Sequence, residues 1–478
     1  MVGLKIKAFM DYIKTAFKTF GFAAFGFFAC AASAETNLFG GLTDADSTEI
    51  KASDGNLDVV LNPNASDPTA EAFFKGNGNM IGSLKTAGTP SSWTISSGTT
   101  TIDINQAGEG SFDALTNSGS MSLSNSIFEI VNSAGTSAVA NINVGDLTIK
   151  SVENAEGAYG DAYLRIKTNA NLTGSSLTCL PSGGMNGITI SNNSNVVSNV
   201  ALSLWGGSEL KVEAGSTFTQ KASSSLYNGS IGNVGATVTV AGKLIFDTNE
   251  TVNVGEAKIT GELTVTNAAF GIMNGSFNSI SGKITAKNLW IGSSWVKLMN
   301  GAKVVLAENA AIVLSDGNAR LTVNAENAVS RVNGELADIC VATGTRGTPN
   351  LLVNADNKFN KLILNGDSLK IAITVADGAH LSFKEISVGD NATLTIKDFV
   401  EGTIFVEDIS GWENIETVAL SAVDGNKYSK EDLHWNKGQY IDGTEGFWLS
   451  TTVPEPATCA LIFGAMAMAF ALKRRLGK

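Results

Sequence analysis

The sequence predicts an all-β protein: an elongated parallel β-helix, with a helical segment at each end. Three observations carry that prediction. The first is composition. Of 478 residues, 51 are Gly and 7 are Pro, 43% are apolar and only 16% are charged, which suits strands joined by tight turns with hydroxyls and amides outside. The second is a recurring phrase, an alternating apolar run, a small-residue bend and a second alternating run. It reads LKVEAGSTFT from Leu210, VVLAENAAIVL from Val304, LTVNAENAVS from Leu321, LLVNADNKFN from Leu351, ITVADGAHLSF from Ile373 and ISVGDNATLTI from Ile386. Period-two alternation marks half-buried strands, and Asn, Asp or Gly at the bend supplies the turn conformations. The third is spacing. Strand starts at Val238, Ile259, Ile284, Val304, Leu321, Leu351 and Ile373 lie 21, 25, 20, 17, 30 and 22 residues apart, a loose period of about 20 residues that fits solenoid coils. One coil cannot bury its inward side chains alone, so neighbours must stack on it. Antiparallel β-sandwiches in series are the alternative that the same short strands permit.

Residues 1–34 read as an export signal. Lys5, Lys7, Lys14 and Lys18 form a basic start, GFAAFGFFACAA an apolar core, and ASA ending at Ala34 a small-residue site for signal peptidase, with cleavage between Ala34 and Glu35. Residues 35–135 are less regular and read as an N-terminal β region or cap; residues 136–400 hold the solenoid repeats. Residues 401–452 concentrate Trp412, Trp435, Trp448, Tyr428 and Tyr440, which suits a cap over the last coil. In residues 453–478, Ala457–Leu472 is an uncharged run of 16 residues followed by Lys473, Arg474 and Arg475. As a helix that run spans about 24 Å, short of a bilayer core of about 30 Å, and the cations form a membrane stop.

Each end carries a net charge of +3, so residues 35–453 hold −18 where the whole chain holds −12. An acidic exported body repels nucleic acid and anionic membrane; divalent cations or neutral polysaccharide are compatible. Of four cysteines, Cys30 and Cys459 sit in the terminal segments, leaving Cys179 and Cys340. They are 161 residues apart, about eight coils or nearly 40 Å, too far for a disulfide. Two buried free thiols are expected.

Catalytic signals are few. There are two histidines, His380 and His434, and no paired-His zinc helix, phosphate-binding glycine loop or nucleophile elbow. His380 reads as a solvent-facing strand residue. Asp316, Asp338, Asp356 and Asp377 are candidate acids for glycosidase or lyase chemistry, but they fall in separate turns, whereas that chemistry needs two carboxyls about 5–10 Å apart. Trp290 and Trp295 in NLWIGSSWVKL could form a sugar platform; their opposite parity assigns one of them to the core. Asp44–Glu49 and Asp54–Asp58 faintly echo calcium loops without the required spacing. No catalytic residue, metal or cofactor is expected.

The C-terminal order of Val453-Pro454-Glu455-Pro456, an apolar segment and Lys473–Arg475 resembles the PEP-CTERM sorting signal. The resemblance implies a substrate of an exosortase, a membrane transpeptidase that cuts at or near the motif and passes the protein to the cell surface or extracellular matrix, in bacteria that make exopolysaccharide. Two prolines around Glu455 hold an extended stretch open to such an enzyme. The phrases ending VADGAHLSF and VGDNATLTI are similar to autotransporter-type passenger β-helices; no translocating barrel follows them. The expected function is therefore that of an exported, non-enzymatic surface or matrix protein. Its implied partners are signal peptidase, exosortase, exopolysaccharide and, transiently, the inner membrane. A β-helix polysaccharide lyase or glycosidase, and an adhesin, are the alternatives.

Overall fold

The computed structural model describes residues 36–37, 59–61, 72–75, 78–81, 84–86 and 93–96, then 98–452 except 118, 136, 154–156, 181–182 and 228–234. The segment read as an export signal, with Ala34 and Glu35, the stretches 44–49 and 54–58, the expected sorting motif Val453–Pro456 and the expected stop Lys473–Arg475 lie outside the described residues, as do Cys30 and Cys459. Strand makes up 58% and parallel sheets build a β-solenoid of about 13 turns, in place of serial sandwiches.

Each turn lays one strand on each of three faces. The first face runs Thr99–Asp103, Ile127–Val131, Ala162–Lys167, Asn186–Ile190, Ser208–Val212, Thr237–Val240 and Glu256–Ile259. It continues through the ends of Phe270–Ile280 and Leu289–Leu298 to Arg320–Val323, Asn350–Val353, Lys370–Val375, Thr393–Phe399 and Thr417–Ala422, every neighbouring pair parallel. The second face is a 13-stranded sheet from Thr36–Asn37 to Val329–Arg331, the third a seven-stranded sheet from Ala72–Lys75 to Ser224–Ser225. A bridge from Leu226 to Val254 carries the third face onward. Strands from Thr99 to Val131, in the stretch read from sequence as irregular, follow the same three-face plan.

Register explains why the repeat holds. On the first face one inward column reads Ile102, Ile130, Ile166, Ile190, Val212, Val240, Ile259, Ile280, Leu298, Val323, Val353 and Val375, partner upon partner. All are buried, and β-branched side chains favour such pleated contact; each contributes roughly 1.5–3 kcal/mol through burial. Successive column members lie between 18 residues apart (Ile280 to Leu298) and 36 apart (Ile130 to Ile166). Turns longer than the expected 20 residues mean fewer of them. At about 4.8 Å each, 13 turns stack to about 60 Å, below the roughly 100 Å that 20-residue coils would give.

Two corner types recur. In the phrases from Leu210, Val304, Leu321, Ile373 and Ile386 the bend residue is left-handed: Gly215, Asn309, Asn327, Gly378 and Asn391 have φ of 78°, 55°, 43°, 78° and 55°, conformations that Gly and Asn tolerate. The phrase from Leu351 differs. Its Asn357 is buried, donating from Nδ2 to the carbonyls of Ala325 and Ala355 (2.9 Å each) and accepting from the Ala328 amide at 3.1 Å. The other corner joins first face to second through stacked glycines. A Cβ on Gly261 would lie 2.0 Å from the Gly242 carbonyl oxygen, and one on Gly282 2.0 Å from that of Gly261, so only glycine fits.

The stack is closed by the aromatic segment. Glu445–Ser450 pairs antiparallel with Ile404–Asp408, the last of the parallel row Asn357–Leu364, Leu381–Val388 and Ile404–Asp408, and with His434–Gln439 on its other side. Lys427–Ser429 covers Thr417–Ala422 in the same way. Trp412 packs edge-on against Trp435 at 5.0 Å, and Phe405 lies 5.3 Å from Tyr440 and 5.0 Å from Trp448. Lys358 ion-pairs with Asp442 and sits 4.5 Å from the Tyr440 ring, tying the hairpin to the coil beneath.

Cys179 and Cys340 are both free thiols. Seven third-face strand steps separate them, about 34 Å. Cys179 is buried, but Cys340 is half-exposed, because Ile339 and Val341 take the inward parity on its strand. Burial pushes both thiols up from their ordinary value, with the Asp338 charge adding to it at Cys340.

Candidate functional site

A solenoid whose inward columns are fixed by packing leaves its outward columns free to vary, so the first face is informative column by column. One outward column, traced through the same pairings, reads Glu129, Arg165, Thr189, Lys211, Thr239, Lys258, Ser279, Lys297, Thr322, Leu352, Thr374 and Lys397. From Arg165 to Lys297 cations and hydroxyls alternate, setting cations two strand spacings apart, about 9.6 Å. In a chain of net charge −12, this row is a local reversal of sign.

Its early cations are neutralised. Glu129 Oε1 accepts from Arg165 at 3.3 Å and from Lys167 at 2.9 Å, and Lys211 pairs with Glu213 at 2.9 Å. Farther along, no described carboxylate pairs with Lys258, Lys297, Arg320 or Lys397. There the column beside it reads Trp295, Arg320 and Asn350, and residues of both columns, Trp295, Arg320, Asn350, Thr322, Leu352, Thr374 and Lys397, line a groove of about 290 Å³ whose floor includes Leu321 and Leu351. The Trp295 indole donates from Nε1 to Thr322 Oγ1 at 2.8 Å, which fixes the ring. Lys297 Nζ lies 4.0 Å from the ring centroid and Arg320 Cζ 6.0 Å, so cation–π attraction holds two positive charges at the groove.

The tryptophans depart from the expectation that one is core. Trp290 is 37% exposed and Trp295 is half-buried. Strand Leu289–Leu298 turns a corner with Ile291 and Gly292 both buried, which resets its parity. Trp290 therefore faces outward on the third face and Trp295 outward on the first. With Lys297 over its ring, Trp295 is an anchor for a cation and no bare sugar platform.

The four candidate acids are placed as follows. Asp316 accepts from the Asn318 amide at 2.8 Å in its own turn. Asp338 is buried, bound by Arg331 Nη2 and Asn360 Nδ2 at 2.8 Å each. Asp356 Oδ1 accepts from the backbone N–H of His380 at 2.8 Å and lies 2.8 Å from its ring Nδ1, and Asp377 is exposed in a turn. His380 is not a solvent-facing strand residue. It is half-buried in the bend before Leu381–Val388, with Trp448 at 5.9 Å and Tyr440 at 6.4 Å. Among the described residues, no group of three His, Cys, Asp or Glu is placed to hold a metal.

Comparison with family models, with curated proteins and with solved structures returned no match.

Proposed function

We propose that this chain is an exported, non-enzymatic surface or extracellular-matrix protein, whose C-terminal signal is read by an exosortase and whose β-solenoid body associates with exopolysaccharide. The observation that carries the reading is the closure of the solenoid directly before the sorting motif. The last described strand is Glu445–Ser450, and Thr451 donates its amide and hydroxyl to Glu401; after Thr452 the sequence runs into Val453-Pro454-Glu455-Pro456. Among the described residues, the strands Ile404–Asp408 and Thr417–Ala422 are both paired before the motif begins, which is compatible with a cleavable address following them. The non-catalytic side of the proposal is supported by the acids: Asp338 and Asp356 are taken up by Arg331, Asn360 and His380 in structural bonds.

The test is intact-mass measurement of the protein extracted from the cell surface, with and without the host's exosortase. The expected mature form begins at Glu35 and has lost Lys478 only when the enzyme is present. A wild-type mature form that retains Lys478 would overturn the sorting reading.

A further inference from the structure

We propose that the outward groove of the first face binds an acidic polysaccharide, a uronate-bearing chain lying extended along the solenoid axis. The proposal rests on the reading of the body as a polysaccharide-associated protein and names the ligand's chemistry and its site. Three features converge.

First, the charge is local and unpaired. Lys258, Lys297, Arg320 and Lys397 have no carboxylate partner among the described residues, while Arg165 and Lys211 of the same row do. The two outward columns from Trp295 and Lys297 to Lys397 contain no acidic residue. A strip of bare cations flanked by no acid in either column suits recognition of an anion, because the surrounding negative field of the acidic body disfavours anions elsewhere.

Second, the spacing is that of a linear polymer. Lys258 and Lys297, unpaired cations of the row, stand two strands apart, about 9.6 Å, with Ser279 between them. Two strand spacings are comparable to a disaccharide in an extended chain. Carboxylates on alternate sugars would meet the two ammonium groups, and a sugar hydroxyl would meet the intervening Ser279.

Third, the site is positioned before any ligand arrives. The Trp295–Thr322 hydrogen bond and the cation–π contacts hold Arg320 in the groove and Lys297 beside it, over the Trp295 ring, lowering the conformational entropy lost on binding. The same arrangement argues against a single-stranded nucleic acid, whose recognition uses open aromatic faces for base stacking. Trp295 is the one aromatic residue lining the groove, and Lys297 sits over its ring.

The experiment uses the purified full chain and titrates polygalacturonate, hyaluronan, dextran and a single-stranded DNA at low and physiological salt. The expected result is binding of the two polyuronates, weakening as salt rises, and none of dextran. The triple variant Lys297→Gln, Arg320→Gln, Lys397→Gln should raise Kd at least tenfold. Lys243→Gln, Lys283→Gln, Lys303→Gln, which removes the same charge from the second face, should change it less than twofold. Replacing Lys297 and Lys397 by Arg should preserve affinity and show that the strip tolerates substitution. Equal losses in the two triple variants would reduce the effect to net charge and overturn the site. Absence of polyuronate binding by the wild type, or equal affinity for the DNA, would overturn the ligand class. These outcomes are separate from the mass test of sorting, which can stand or fall independently.

Discussion

The buried pair Arg331–Asp338 gives the most stringent test of the energetics. Val329–Arg331 ends the 13-stranded second face and Asp338–Val341 starts the next third-face strand, so the pair ties one turn across its corner. The side chains are only 6% and 12% exposed. Arg331 donates Nη2 to Asp338 Oδ2 at 2.8 Å, and donates Nε and Nη2 to the Ala310 carbonyl at 3.3 Å each, with Glu335 at 3.8 Å. Asp338→Ala strands a nearly buried guanidinium, a change that costs about 3–5 kcal/mol. The surviving bonds to Ala310 and the nearby Glu335 place it toward the lower end. Asn360 Nδ2 also loses its acceptor, a further cost of about 1 kcal/mol. The sum is about 4 kcal/mol, or nearly three decades in a local opening constant.

A stacked solenoid need not unfold in one step, so global denaturation would blur the result. Hydrogen exchange of peptides covering 329–341, with 186–212 as internal reference, isolates the corner. Asp338→Ala should accelerate exchange there by two to three decades and leave the reference unchanged. Arg331→Met with Asp338→Leu removes both charges and should recover most of the loss, since apolar replacement of a buried pair is often neutral. An effect below threefold in the single variant, or a double variant as damaged as the single, would refute the reasoning.

Gly261→Ala should destabilise the turn by about 1–3 kcal/mol, because its Cβ would lie 2.0 Å from the Gly242 carbonyl oxygen. Gly108→Ala, with nothing within 4 Å of the added carbon, should be neutral or stabilising by up to about 1 kcal/mol; equal effects in thermal melts would sink the stacked-glycine account. At the closing hairpin, the hydrogen bond from Lys358, helped by those of Thr444, holds the Asp442 carboxyl well below the ordinary carboxylate range. A depressed folded value contributes stability that is complete above the unfolded value near ~3.9 and is lost as pH falls through the folded one. The hairpin should therefore keep this tie from neutral pH down to about 4. Carbon-detected titration of Asp442 should show a low midpoint that returns toward ~3.9 in Lys358→Met; an ordinary midpoint in the unmutated protein would remove the pair from the closure.

The fold was legible in the sequence because inward residues repeat. Three of the six spacings are true register steps: Ile284 pairs with Val304, Leu321 with Leu351, and Leu351 with Ile373. Val238 pairs with Ala257, two residues short of Ile259. The steps from Ile259 to Ile284 and from Val304 to Leu321 jump between faces, which is why the period looked loose. A sharper signal was present. AGKL, TGEL and SGKI place Gly242, Gly261 and Gly282 at 19- and 21-residue intervals, and those glycines stack directly. The groove was not legible. Trp295, Arg320 and Asn350 become neighbours only after turns of 25 and 30 residues, so a slip of one residue in any turn would face them into the core. Trp290 and Trp295 show the same limit, since parity counting failed at the Gly292 corner.

Stacking that can be extended at will needs a stop, and the closing segment supplies it by changing strand direction. A parallel last edge would offer the next coil of another chain the same register that built the first turns, a template for end-to-end pairing. Here that edge is taken by Glu445–Ser450 running antiparallel, and the sheet then passes to His434–Gln439, whose Lys437 is exposed beside Glu445. A charged, outermost strand is a poor partner for further pairing. Phe405 would otherwise present an apolar face at this end, but Tyr440 and Trp448 cover it. The aromatic cluster thus serves termination, and the proposed ligand strip lies on the side of the stack, away from this closure.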